Sequence, residues 1–257
     1  MLEGKKLLIT GVVTADSIAF ATTQRALALG ADVLLTAPPR DHERATGVAA
    51  TLGCDLVALD VNEPQHWDAL RATLRDRWAY LDGALHAVAY APADALNGDF
   101  LAASRESLSL AFHTSTTSYA TLARLVADLA PASGGSIVGL DFDAAGAWPT
   151  YNWMGVCKAG LEAASRYVAR DLGCRGIRSN LIAAGPLETR AAGGIEGFDL
   201  LLEAWERRSP LAWDARDPSP VADAVCFLLS DLARAITGEL LHVDGGYHAM
   251  ASTLPGR

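Results

Sequence analysis

The sequence predicts a doubly wound α/β fold, one parallel sheet with helices on both faces. Three observations carry this. Seven short apolar runs, "KLLIT", "DVLLTA", "LVALDV", "ALHAVAY", "SIVGLDF", "SNLIAAG" and "ELLHVDG", alternate with amphipathic stretches. The runs are apolar on nearly every residue, as strands covered on both faces require, and the alternation with helical patterns indicates right-handed βαβ crossovers. The length of 257 residues suffices for one full core, so a single domain over 1–257 is expected.

Composition narrows the function classes. With 51% hydrophobic and 20% charged residues the chain is too apolar for disorder, yet its apolar runs are too short to span a membrane. "MLEGKKLLITGVV" lacks a signal-peptide cleavage pattern, so a cytoplasmic protein is expected. Cys54, Cys157, Cys174 and Cys226 lack the close pairing of zinc or redox motifs, which argues against disulfides and metal. The formal charge of -9, with no concentration of Lys and Arg, disfavours nucleic acid and anionic membrane as partners.

In doubly wound folds ligands sit beyond the carboxyl ends of the strands. The first strand runs into "TGVVTADSIAF" and a helix continuing through "ATTQRALALG". Gly11 permits a tight turn, Ser17 stands at the helix start, and amides there can bind pyrophosphate. One glycine stands where a dinucleotide fingerprint has three, and a strand-Gly-helix turn also occurs for purely structural reasons. The second strand ends "LLTAPPR", with no acid at its tip for ribose hydroxyls; Arg40 can be a grip for a 2'-phosphate, a cation beside adenine, or plain loop. NADH and NADPH both stay open at this point. The third strand ends in Asp60 and Val61, a plausible adenine contact or a solvated strand end.

Between the fifth and sixth strands lies "YNWMGVCK". Residues seven apart on a helix are almost two turns apart, so Tyr151 and Lys158 share one face with roughly 10 Å of rise between them. A tyrosine can donate to a developing oxyanion while an ammonium on the same face holds ribose hydroxyls. A random pair of this kind is more often a core Tyr and a snorkelling Lys; position at the strand ends favours the catalytic reading.

These stretches, with "GKKLLITGVVTADSIAF", "GSIVGLDFD", "RSNLIAAGP", "PLAW" and "GELLHVDGG" in order along nearly the whole chain, resemble the NADH-dependent enoyl-acyl-carrier-protein reductases. That family is the branch of the short-chain dehydrogenase/reductase superfamily with Tyr-x6-Lys in place of Tyr-x3-Lys. "DFD", "YNWM" and "AAGP" are especially similar to the actinobacterial form that extends mycolic-acid precursors. The resemblance implies a Rossmann-type domain with a substrate-binding loop and helix at about 188–210, a homotetramer, and reduction of the trans-2 double bond of an enoyl thioester carried by acyl-carrier protein or coenzyme A. It implies that Tyr151 binds the thioester carbonyl, that Lys158 holds the nicotinamide ribose, and that Phe142 lies beside the reacting double bond. Met154 would line the acyl pocket. Gly11, Val13, Ser17 and Ile18 would follow the pyrophosphate, Asp60 and Val61 the adenine, and Ile182, Ala184, Gly185, Pro186 and Thr189 the nicotinamide. A ketoreductase of the superfamily would carry lysine where Gly155 stands. A nucleotide-binding protein without turnover is the non-enzymatic rival.

Three departures from the family pattern bear on the site. His-Ser-Ile-Gly appears as His86-Ala87-Val88-Ala89, which removes a hydroxyl at Ala87 and adds a methyl at Ala89 beside the cofactor. Gly-Pro-Ile-Arg-Thr appears with Leu187 and Glu188, and a carboxylate beside pyrophosphate would repel it unless it turns to solvent with Arg190 supplying the charge. The loop "RAAGGIEGFDLLLEAWERR" is shorter than in the long-chain mycolate enzyme, so medium-length acyl chains are expected; Arg207 and Arg208 can be a landing point for an acidic carrier, although either alone reads more readily as a solvated helix end. His113 reads as a plain helix residue and "SPVADAVCFLLSD" as a core helix.

Overall fold

A computed structural model describes residues 1–252. Seven parallel strands, β1 (Lys6–Ile9), β2 (Asp32–Ala37), β3 (Asp55–Ala58), β4 (Gly83–His86), β5 (Gly135–Asp141), β6 (Ile177–Ala184) and β7 (Leu240–Val243), form one sheet in the order β3-β2-β1-β4-β5-β6-β7. The helices are α1 (Ile18–Ala28), α2 (His42–Leu52), α3 (Pro64–Arg77), α4 (Ala93–Leu96), α5 (Arg105–Phe112), α6 (Ser118–Leu129), α7 (Asn152–Leu172), α8 (Phe198–Arg208) and α9 (Ser219–Leu229). The doubly wound expectation holds in full.

Two cores flank the sheet. Leu7, Ile9, Val33 and Leu35 bury against Ala19 and Ala26 of α1, Ala49 of α2 and Val221, Val225 and Cys226 of α9. Leu8, Leu34 and Ile137 bury against Trp67, Leu70 and Leu74 of α3, Leu122, Leu125 and Val126 of α6, and Leu161 of α7. Alternate residues of one strand thus serve opposite faces, which is why the runs are apolar throughout. The "SPVADAVCFLLSD" segment is the core helix expected.

The strand order reverses between β1 and β4, and there the chain ends are locked together. Thr10 N–H donates to Leu85 O at 3.1 Å, and the Thr10 hydroxyl accepts from Ala87 N at 3.1 Å while donating to Leu85 O at 2.9 Å. Gly11 has φ +76°, and a Cβ there would lie 2.1 Å from the Ala87 carbonyl oxygen. This crossing point is where a doubly wound sheet opens its ligand crevice.

Three boundaries differ from the sequence expectation. β3 ends at Ala58, so Asp60 and Val61 lie in the following turn. Leu59 N makes the last bond to β2, at 2.8 Å to Ala37 O, and the Asp60 amide donates instead to His66 Nδ1 at 3.0 Å. The fourth run stops at His86, because the next amide goes to the Thr10 hydroxyl. Tyr151 is the cap of α7 rather than a residue inside it: its carbonyl accepts from Met154 N at 3.0 Å, and its neighbours Thr150 and Asn152 have φ of 62° and 37°. Pro149 precedes this left-handed step, so the helix cannot extend backwards and the Tyr-Lys pair spans a helix start instead of two continuous turns.

Candidate active site

The C-terminal end of β5 and the start of α7 assemble the reacting end of the crevice. Asp141 closes β5, Phe142 follows it, and Tyr151 and Lys158 come down α7 onto the same strand end. The Lys158 ammonium donates to Leu140 O at 2.7 Å and lies 3.9 Å from Asp141 Oδ1. The Phe142 ring lies 5.0 Å from Tyr151, 4.9 Å from Trp148 and 5.7 Å from Trp205, centroid to centroid. Tyr151 is buried in a small apolar cluster with Met154, Cys157 and Ala111, edged by Leu96, Trp148 and Ile195. The structure therefore brings Tyr151, Lys158, Phe142 and Met154 together.

A single π turn, His113–Thr117, helps to fix α7. The extra residue of a π turn re-aims the side chains around it. Thr116 Oγ1 donates to Cys157 O at 2.8 Å, and Ser115 Oγ holds Tyr90 through both its amide and its carbonyl. His113 itself is exposed, consistent with a plain helix residue.

Burial sets the electrostatics. Desolvation pushes the Tyr151 phenol well above the usual tyrosine range, with the Asp141 charge adding to it. The hydroxyl therefore keeps its proton at neutral pH. Burial lowers the Lys158 ammonium, with Asp141 pulling in the opposite direction. Burial pushes Asp141 up to about 7, opposed by Lys158. His86, fully buried at the end of β4, is pushed down to about 3 by desolvation and then by the Lys158 charge.

At the dinucleotide end, Ser17 caps α1 as expected, accepting from Phe20 N at 3.1 Å, with Ile18 the first helical residue. Gly11 and Val13 line the turn before it, partly exposed. Ala87 is half-buried with its amide held by Thr10, while Ala89 is exposed on the same rim. The Asp60 carboxylate accepts from Asn62 N and Nδ2, at 3.0 and 3.1 Å, and Val61 O accepts from Trp67 Nε1 at 3.0 Å, so both also serve their own turn. Arg40 is exposed, 3.6 Å from Asp41 and 5.0 Å above the Tyr90 ring.

Beyond β6 the backbone is clamped. Gly185 N donates to Val243 O at 2.9 Å, Pro186 O accepts from Trp213 Nε1 at 2.7 Å, and a Cβ on Gly185 would strike the Trp213 and Trp205 rings at 2.7 and 2.8 Å. Ala184 is buried at the strand end, and Thr189 Oγ1 accepts from Ala192 N at 3.3 Å. Ile182 departs from its expected role: it has no exposed surface and belongs to the core under α1 and α9, so it backs the site rather than lining it. Glu188 is exposed, its carboxylate 3.9 Å from Arg216, whereas Arg190 reaches Asp41 at 3.0 Å and its amide donates to Asp16 at 3.0 Å. Glu188 thus turns to solvent and Arg216, as one reading of the sequence expected, but the Arg190 guanidinium is taken by Asp41 instead of standing free to supply a charge.

Sequence reasoning missed three contributors. Asp141 is a buried carboxylate beside Lys158, signalled only by its place at a strand end. Trp148 and Trp205 complete an aromatic wall with Phe142; Trp205 stacks on Tyr247 at 3.7 Å and donates to Asp244 O at 3.1 Å. No apolar period marks them: Trp148 packs on Phe142 across an irregular loop, and Trp205 meets partners far away in the chain.

The residues fit a bound dinucleotide. The Gly11 cradle against Ala87 and the capped start of α1 stand at the crossing point after β1 and β4, and the Lys158 ammonium stands at the end of the neighbouring β5. Comparison with known proteins agrees. Residues 11–248 match the sequence model of the enoyl-(acyl carrier protein) reductase family. The chain is 40% identical to an enoyl-acyl-carrier-protein reductase (NADH) of Mycolicibacterium smegmatis, covering 96% of this chain and 97% of the relative. It is 40% identical to the Aquifex aeolicus protein of that name, over 97% and 93% of the two chains, and 37% identical to that of Escherichia coli, over 97% and 96%. Fold, strand-end chemistry and similarity over the full length converge: this chain belongs to the enoyl-acyl-carrier-protein reductase family.

Proposed function

We propose that the protein reduces the trans-2 double bond of an enoyl-acyl-carrier-protein thioester with NADH. The observation that carries this is the buried Tyr151 phenol packed against Phe142, with Lys158 seven residues on at the same strand end. NADH supplies hydride when bound. Lys158 holds the nicotinamide ribose, the turn of Gly11, Val13, Ser17 and Ile18 follows the pyrophosphate, and Asp60 and Val61 flank the adenine. Ala87, Ala89, Ala184, Gly185, Pro186 and Thr189 shape the nicotinamide pocket, with Ile182 behind them.

Tyr151 donates its hydroxyl hydrogen bond to the thioester carbonyl, whose oxygen gains charge as the β-carbon is reduced. A donor already in place in a water-poor cluster stabilises that charge more than the ground-state carbonyl, which is what lowers the barrier. The Lys158 ammonium adds positive potential from below. Phe142, with Trp148, excludes water and holds the enoyl plane. Gly155, where a ketoreductase would carry lysine, lies 3.8 Å from the Tyr151 ring at the position of a built Cβ, so Lys158 is the cation this site uses.

The loop and helix at 188–210, with Met154, enclose the acyl chain, and the aromatic wall favours medium lengths. Arg207 is exposed and among the described residues pairs with Glu203 across one turn, at 3.5 Å, so it can meet an acidic carrier; Arg208 is turned inward over the Tyr247 ring. A homotetramer fits the exposed Leu110 and Phe112 of α5 and Val156 and Tyr167 of α7, with Gly238 to Met250 at a second contact. No helix of the described residues is long and apolar enough to cross a membrane. The four cysteines are free thiols, in keeping with the reducing cytoplasm.

The test is NADH and NADPH consumption on trans-2-enoyl thioesters of increasing length, on acyl-carrier protein and on coenzyme A. Preferred turnover with NADH at medium length supports the reading. Tight NADH binding with no turnover on any enoyl thioester would favour the non-enzymatic alternative.

A further inference from the structure

We infer that Asp141 is a positioning residue for Lys158: its buried carboxylate fixes where the ammonium points and keeps it charged, and thereby sets how tightly the dinucleotide is held. The inference rests on the reading of Lys158 as the ribose-holding group.

The geometry is unusual for a carboxylate. The Asp141 side chain has 0% exposure and that of Lys158 7%, and the two approach at 3.9 Å. Neither carboxylate oxygen has a well-aligned hydrogen-bond donor. A buried carboxylate with no more than a weak contact from the Phe142 amide is costly and persists where a nearby charge compensates it. Lys158 is that charge. Its ammonium has three N–H donors: one is taken by Leu140 O at 2.7 Å and a second faces Asp141. The Leu140 bond holds the ammonium, and the attraction of Asp141 at 3.9 Å, an ion-pair contact and not a hydrogen bond, sets the side to which it leans and leaves donors for a ligand.

Among the described residues, no other cation is found to act on Asp141. The charged and titratable groups acting on it are Cys157 and Glu162 of α7, Tyr151 at its start, Asp143 after β5, and His86 of β4, which is held neutral. Burial drives the Lys158 proton off, and Asp141 is the largest influence keeping it on. Nothing in the sheet needs a carboxylate here, since the ladder to Ala183 uses only backbone.

The experiment is NADH affinity as a function of pH for wild type, Asp141→Asn, Lys158→Met and the double variant. Asp141→Asn is expected to weaken NADH binding about tenfold near neutral pH, within the range of coupling between contacting groups. Its alkaline limb should move to lower pH, because an unpaired buried ammonium loses its proton sooner. The difference from wild type should shrink below pH 7, where the wild-type carboxyl is itself protonated. In the Lys158→Met background the Asp141 change should add nothing. Equal effects in both backgrounds, or an unmoved pH profile in folded Asp141→Asn, would overturn the inference. If Asp141→Asn does not fold, Asp141→Ser removes the same charge with less volume and is read the same way. Should Lys158→Met leave NADH binding intact, the reading of Lys158 itself fails; should Lys158→Met weaken it and the Asp141 variants not, only the positioning role fails.

Discussion

The Phe142 and Tyr151 rings meet at 5.0 Å with a tilt of 56°, so the first residue after β5 orients the cap residue of α7. The phenol is aimed by packing. Phe142→Ala should therefore misplace the hydroxyl and lower kcat by roughly ten- to a hundredfold with little change in the KM for NADH. Steady-state kinetics with each substrate varied in turn checks this, and a pure KM effect would contradict it.

Gly11 is required twice over, by its φ of +76° and by the 2.1 Å approach of a built Cβ to Ala87 O. Gly11→Ala should destabilise the protein by about 1–3 kcal/mol and abolish the thermal shift produced by NADH. Melting curves with and without NADH report both.

His86 gives an acid-side signature. Ser118 Oγ donates to Thr114 O at 2.6 Å, so the 2.8 Å contact with His86 Nε2 is donated by the imidazole, leaving Nδ1 buried and unpaired. The folded pKa of about 3 lies below the ordinary 6.5, so the folded state binds fewer protons than the unfolded chain in that window. Its contribution to stability is present above pH 6.5 and is lost as pH falls toward 3, at ~1.4 kcal/mol per pH unit. His86→Gln should flatten this part of the stability profile, as measured by denaturant melts at stepped pH; an unchanged slope would contradict the assignment.

Trp148 is half-buried between Phe142, Trp205 and Tyr247, with its indole N–H bonded to Asp143 O. Trp148→Ala should open one side of the acyl crevice and move the kcat/KM optimum to longer chains. The same ranking of chain lengths in both proteins would show that the wall does not set the limit.

What the sequence made legible follows from range. Strands covered on both faces announce themselves locally, and so did the Gly11 turn and the Ser17 cap; Tyr151 and Lys158 were related by helical spacing and by their place between two strands, and Phe142 came only with the family resemblance. What it concealed depends on contacts between distant segments. Arg190 answers to Asp16 and Asp41, the fit of Gly185 depends on Trp205 and Trp213, and the direction of Glu188 was fixed by Arg216. Asp60 and Val61 were placed at a strand tip, yet a histidine six residues on captures the Asp60 amide and ends the strand sooner. Helical spacing related Tyr151 to Lys158, but the two left-handed residues that make Tyr151 a cap have no signature in apolar periodicity.

The most direct measurement is the loss of NADH absorbance on a medium-chain trans-2-enoyl thioester for wild type and Tyr151→Phe. The account predicts turnover by wild type and a fall in kcat of roughly 10²–10³-fold in the variant, the usual cost of removing one oxyanion donor, with NADH binding retained. Turnover by Tyr151→Phe equal to that of wild type would contradict it.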